Sequence, residues 1–116
     1  MKPLRWVGSS YDDLLDLPAE VRREVGFALF VAQNGDKADN AKPLKGLGGG
    51  MLEVVESYDG DTYRAVYTVR FANAVYVLHT FQKKSKRGIA TPQADMDLIK
   101  RRLQLAAEDA KDNANE

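Results

Sequence analysis

Alternation with period two dominates the middle of the chain. From Tyr63 to Phe71, the residues Tyr63, Ala65, Tyr67, Val69 and Phe71 fall on one side of an extended backbone, and Arg64, Val66, Thr68 and Arg70 on the other. A second run rich in Val, Tyr, Phe and Thr follows the short break Ala72-Asn73-Ala74, so the two runs predict a β-hairpin ending in the basic stretch to Arg87. With Asn73 and Ala74 as a two-residue turn, Phe71 faces Tyr76, Thr68 faces His79, Val66 faces Phe81 and Arg64 faces Lys83. That register gathers Arg64, His79, Phe81 and Lys83 on one side of the sheet. A three-residue turn slips the pairing by one and brings Thr80, Gln82 and Lys84 beside Arg64 instead. Either register sets a lysine near Arg64.

The flanking segments change period. Leu4 to Val7 predicts a short strand with Trp6 in the core; Ser9 and Ser10 then offer helix caps, with Asp12 and Asp13 in the first turn as complements to the helix dipole. Pro18 opens a second helix to about Asn34, whose stripe Val21, Val25, Ala28, Leu29 and Ala32 must cover a sheet, and Asn34-Gly35 ends it. Residues 35–50 read as a polar loop finishing in a glycine-rich approach to the sheet. Those glycines lack the Gly-Lys-Ser/Thr ending of a phosphate loop and lead into a strand from Met51. Asp59-Gly60 marks a hairpin, which joins the strands starting near Met51, Tyr63 and Val75 into an antiparallel meander. Thr91-Pro92 starts a final helix with Met96, Ile99, Leu103 and Ala106 on its buried side; the triplet Lys100, Arg101 and Arg102 suits a solvated or acid-paired surface, and also an extension of the hairpin's phosphate-binding field. The expected fold is α+β: an antiparallel sheet of about four strands, two N-terminal helices packed on it and a C-terminal helix. One domain spans 1–107, and 108–116 is a frayed polar tail.

Composition narrows the function classes. The 116 residues are 44% hydrophobic and 29% charged with a formal net charge of +0, which fits a compact soluble domain and a cytoplasmic setting. No apolar run approaches the roughly 20 residues of a membrane helix, and the first ten residues lack the apolar core of a secretory signal. Zero cysteines remove disulfides, thiol nucleophiles and cysteine-bound zinc; a single histidine argues against a metal site, and no cofactor motif is present. The zero total conceals an uneven distribution. From Thr62 to Ala94 there are six basic residues and no acidic one, whereas Glu108 to Glu116 has four acids and one lysine. Tyr63, Tyr67, Tyr76 and Phe81 interleave with the cations, a pairing that suits phosphates and bases of nucleic acid as well as a solvated surface over a core.

The pieces KPLKGLGGGMLEV, YRAVYTV and VYVLHTFQKKSKRGIATPQADMDLIKRRL, in this order of elements, resemble the RelE/ParE superfamily of toxin-antitoxin toxins, in particular its HigB-like, phage-derived branch. The resemblance covers nearly the whole chain. It implies an mRNA interferase, an endoribonuclease that cuts messenger RNA, commonly on the translating ribosome, and that is silenced by a cognate helix-turn-helix antitoxin. Relatives on the same fold inhibit DNA gyrase instead, and a prophage remnant would keep only antitoxin binding; fold does not choose among these.

RNA cleavage without a metal needs a base for the 2′-hydroxyl, a cation on the phosphate and an acid for the leaving oxygen. Arg64 is the candidate phosphate clamp, because a rigid forked guanidinium matches non-bridging oxygens. Lys83 and Lys84 hold the backbone or supply the acid, His79 is a candidate base, and Phe81 can stack a nucleobase. Lys45, Lys86 and Arg87 complete an RNA-binding field. For His79 the competing reading is a hydrogen-bonded core residue, and its register decides. The sequence also departs from ribosome-dependent toxins that carry a catalytic tyrosine in or after the last helix, since no tyrosine follows Tyr76.

Overall fold

The computed structural model describes residues 1–83 and 91–113. In chain order it contains β1 (Leu4–Trp6), α1 (Ser10–Leu15), α2 (Ala19–Gln33), β2 (Ala41–Pro43), β3 (Met51–Tyr58), β4 (Asp61–Thr68), β5 (Val75–Lys83) and α3 (Gln93–Asn113). The strands form one sheet in the order β1-β5-β4-β3-β2. The meander β3-β4-β5 is antiparallel as expected, and β1 adds to it parallel to β5. The architecture is α+β, with five strands where the sequence suggests about four. The additional one is β2, inside the segment read as a polar loop, and it pairs Ala41, Lys42 and Pro43 with Val54, Glu53 and Leu52.

Local chemistry explains the boundaries. Asp59 and Gly60 both have positive φ, at 52° and 83°, and Tyr58 pairs with Asp61, so the Asp-Gly signal closes a two-residue hairpin. Gly35 has φ 89°, and the amides of Gly35 and Asp36 donate to the carbonyls of Ala32 and Val31, the Schellman pattern that ends α2. Ser9 donates its hydroxyl to Asp13 rather than capping a backbone amide. Gly8, at φ 58°, lies against the Arg102 guanidinium, where a Cβ would come within 2.7 Å of Nε.

Helices cover both faces of the sheet. On one, α1 and α2 bury Leu14, Val21, Val25, Leu29 and their neighbours against Val54, Ala65, Tyr67, Val75 and Val77. The α2 stripe is the one read from the sequence. On the other, α3 buries Ile99, Leu103, Ala106 and Ala110 against Met51, Val66, Tyr76 and Leu78, with Met96 half-buried. Trp6 is also only half-buried, its ring edge-on to Tyr11 at 4.9 Å. The last helix runs to Asn113, through the first part of the stretch that composition reads as a tail from 108. Tyr76 donates its hydroxyl to Asp109 at 2.7 Å and Ala110 is buried, so tertiary contacts hold a stretch whose composition alone reads as polar.

The connection between β4 and β5 is longer than the tight turn expected, and the register differs accordingly. Residues 69–74 lie outside both strands, and Thr68 faces Tyr76. Here the Val69 amide bonds to the Gly50 carbonyl, and Arg70 donates to the carbonyls of Leu47 and Gly49. Both tie this connection to the glycine segment instead of to β5. Gly50 allows the approach: its φ is 77°, and a Cβ there would meet the Arg70 backbone at 3.0 Å. Farther along, a β-bulge leaves Leu78 without an opposite residue between the pairs Tyr67–Val77 and Val66–His79. The Leu78 carbonyl accepts from Arg102 at 2.9 Å, so one member of the basic triplet on α3 is structural rather than solvated.

Candidate active site

Beyond the bulge Arg64 faces Phe81, not Lys83, and Lys83 faces Thr62. The offset from the expected register is two residues, which preserves the side of the sheet. Arg64, His79, Phe81 and Lys83 therefore share the α3 face as read from the sequence, each with a different opposite neighbour.

Three of these four side chains are buried. Arg64 is only 4% exposed, His79 7% and Lys83 8%. A charge at such depth requires compensation, and β3 supplies it. Glu53, 3% exposed, accepts from Arg64 Nη1 through both carboxylate oxygens, at 3.0 and 2.9 Å. Lys42 on β2 places its Nζ 3.7 Å from the same carboxylate and keeps its own side chain half in solvent. The Lys83 ammonium lies in the field of these groups. Loss of hydration pushes its pKa below the ordinary lysine value, the positive charges of Arg64 and Lys42 push the same way, and Glu53 opposes them.

Helix α3 organises the neighbouring histidine. Asp95, in its first turn, lies 2.7 Å from His79 Nε2. The imidazole stacks on Phe81 with centroids 4.4 Å apart and planes 15° from parallel. His79 Nδ1 is buried and has no hydrogen-bond partner among the described residues. The alternative reading of His79 as a held residue of the interior is thus the one its surroundings match, and half-buried Phe81 has one ring face already covered.

Access comes from the β2 side. A groove of about 440 Å³ is lined by residues 42–45 together with Glu53, Thr91 and Met96. It brings exposed Lys45 and the buried Glu53 carboxylate to one opening. Arg64 and Lys83 stand behind Glu53 rather than in the groove wall. Lys84, Lys86 and Arg87 lie outside the described residues. Glu53 and Asp95 are the members that sequence reasoning missed: Glu53 sits in an apolar-looking strand, and Asp95 reads as a helix-dipole acid. A usable signal for Glu53 existed, since a carboxylate on a central strand must face either solvent or a buried cation.

A family model described as Phage derived protein Gp49-like (DUF891) matches residues 12–104. The chain belongs to this phage-derived family. The match takes in every site residue named above, and it agrees with the phage-derived branch that the sequence pieces resemble. No curated protein matches the chain. Among solved structures, the toxin-antitoxin complex RelBE2 of Mycobacterium tuberculosis contains a chain 19% identical to this one, with a TM-score of 0.49, covering 71% of this chain and 98% of that one. Among the described residues of this Gp49-like protein, no helix is long and apolar enough to cross a membrane.

Proposed function

We propose that this Gp49-like protein is the toxin of a toxin-antitoxin pair and that the Glu53–Arg64–Lys83 cluster cleaves messenger RNA in the cytoplasm. The observation that carries the reading is the buried Glu53–Arg64 pair, both members under a twentieth exposed, next to an ammonium whose pKa is depressed. Buried ion pairs are poor stabilisers compared with apolar residues of similar size, so one retained beneath a cationic groove is better accounted for by chemistry.

The roles follow from the groups. Glu53, the carboxylate that reaches the groove, takes the 2′-hydroxyl proton, and the freed oxygen attacks the adjacent phosphorus. Arg64 exchanges part of its bond to Glu53 for the non-bridging oxygens as their charge rises. The P–O5′ bond breaks, and the Lys83 ammonium, made a better acid by its surroundings, gives its proton to O5′. The products are a 2′,3′-cyclic phosphate and a 5′-hydroxyl. His79, held by Asp95, supports Phe81 as a stacking surface and leaves the base role to Glu53. Lys42 and Lys45 guide the strand in, joined in this proposal by Lys84, Lys86 and Arg87. A helix-turn-helix antitoxin encoded beside the toxin silences it, and translating ribosomes present the messenger.

Controlled expression tests the reading. Translation should stop with fragmented messenger, and fragments should carry cyclic phosphate ends. Binding to RNA should weaken roughly tenfold or more from low to physiological salt through counterion release. Replication arrest with RNA intact would reject cleavage in favour of a gyrase-directed toxin.

A further inference from the structure

Helix α2 presents two aromatic rings to solvent. Phe27 is 57% exposed and Phe30 53%, although Val25, Ala28 and Leu29 of the same helix are fully buried. The rings are neighbours at i and i+3 on the side turned away from the sheet. Beside Phe27 opens a groove of about 600 Å³ whose apolar floor is Phe27, Val31 and Ala38. Its rim is acidic, with Glu24, Asp36, Asp39 and Glu56. None of these four carboxylates forms an ion pair among the described residues. Lys37, the base in the lining, is already committed to the Ala41 carbonyl at 3.0 Å.

Gly26 is an independent observation on the exposed side of the helix, one turn before Phe30 and on the flank away from the groove. Glycine disfavours a helix interior because of its backbone freedom. Yet nothing lies within 4 Å of a Cβ built there, so no contact inside the fold requires its absence. A bare stretch of backbone beside Phe30 lets a second helix approach closely on that flank.

We propose that this face of α2 docks a cationic amphipathic helix of a partner protein. Its apolar side chains would lie on Phe27, Val31 and Phe30, and its lysines or arginines would meet Glu24, Asp36 and Asp39, Glu56 already accepting from Asn40 at 2.6 Å. The rim repels nucleic acid, so the occupant is protein. The α2 face is on the opposite side of the sheet from Glu53 and Arg64, so docking here leaves the candidate active site open. The inference stands whether or not the chain cuts RNA.

Fluorescence anisotropy with a labelled synthetic helix, leucines on one stripe and lysines on the other, tests it directly. The peptide should bind at least about tenfold more tightly than a scrambled version or one with glutamates for lysines. Replacing both rings, Phe27→Ser with Phe30→Ser, should cost roughly tenfold or more in affinity. Glu24→Lys with Asp39→Lys should do likewise, most strongly at low salt. Circular dichroism and melting should be unchanged, because these side chains are on the surface, and so should any RNA cleavage. Equal affinity for the scrambled peptide, or binding indifferent to the α2 substitutions, would overturn the proposal. So would self-association in sedimentation that the two serines abolish, which would assign the face to a second copy of the chain.

Discussion

On β4 alternate residues serve two different interiors. Tyr63, Ala65 and Tyr67 point toward α2 into a layer of aliphatic and aromatic side chains, whereas Arg64, Val66 and Thr68 point toward α3. The α3 side is divided: near the bulge it is apolar, with Val66, Tyr76 and Leu78 under Ile99, and toward the ends of β4 and β5 it holds Glu53, Arg64, His79 and Lys83. Burial on the α2 side removes apolar surface from water and stabilises outright. Burial on the charged half desolvates ions whose mutual attraction does little more than offset that cost. One face therefore holds the sheet together, and the other uses the sheet as a rigid support for charges kept from water, where electrostatic interactions are stronger than in solvent.

The sharpest way to break this contrast is to remove one charge. Arg64→Ala should lower stability by about 3–5 kcal/mol, since it strands Glu53 in the interior, and RNA cleavage by the folded fraction should fall roughly 10²–10³-fold. Glu53→Leu with Arg64→Met should return the melting temperature to the wild-type value or above it, because apolar replacement of a buried pair is neutral or stabilising, while activity stays lost. Thermal unfolding and cleavage of a defined messenger would separate the two effects. A double variant as unstable as the single one would make the pair structural and erase the difference between the faces.

On the apolar face the expected pattern reverses. Leu29, 1% exposed on α2, should cost about 2–5 kcal/mol as Leu29→Ala through lost burial and a residual cavity. Activity per folded molecule, measured below the melting transition, should not change. A selective loss of activity would show that the two interiors are coupled through the strands.

The smallest effect concerns the polar atom in the apolar layer. Tyr67 Oη is buried without a hydrogen-bond partner among the described residues, and burial raises its pKa to about 12. Tyr67→Phe should stabilise the protein by about 1 kcal/mol. The sign with pH follows from linkage: the fold retains a proton that the unfolded chain releases, so this contribution is intact below pH 10.0 and is lost between pH 10.0 and about 12. Tyr63 and Tyr76 are shifted in the same direction. Lys83 has the opposite sign, its lowered pKa making stability rise with pH just below 10.5. Urea unfolding across this range, with tyrosinate absorbance as the titration signal, should show a shallower alkaline decline in Tyr67→Phe.

Much of this molecule is determined by patterns that a few neighbouring residues carry. The α2 stripe, the Asp59-Gly60 turn, the Gly35 stop and the side of the sheet on which Arg64, His79, Phe81 and Lys83 lie all follow from local conformational preference and a period of two or 3.6. Opposite neighbours do not, because they depend on the bulge at Leu78 and on Arg70 joining the β4–β5 connection to the glycine segment. The β2 strand, invisible in a polar loop, exists because the edge of β3 offers it hydrogen bonds. The end of α3 is set by Tyr76 and the packing of Ala110. Above all, the sequence marked Arg64 as a cation on a strand, and only the tertiary structure decided that it is buried against Glu53, because depth and partner are properties of the whole sheet between its helices, not of any stretch of chain.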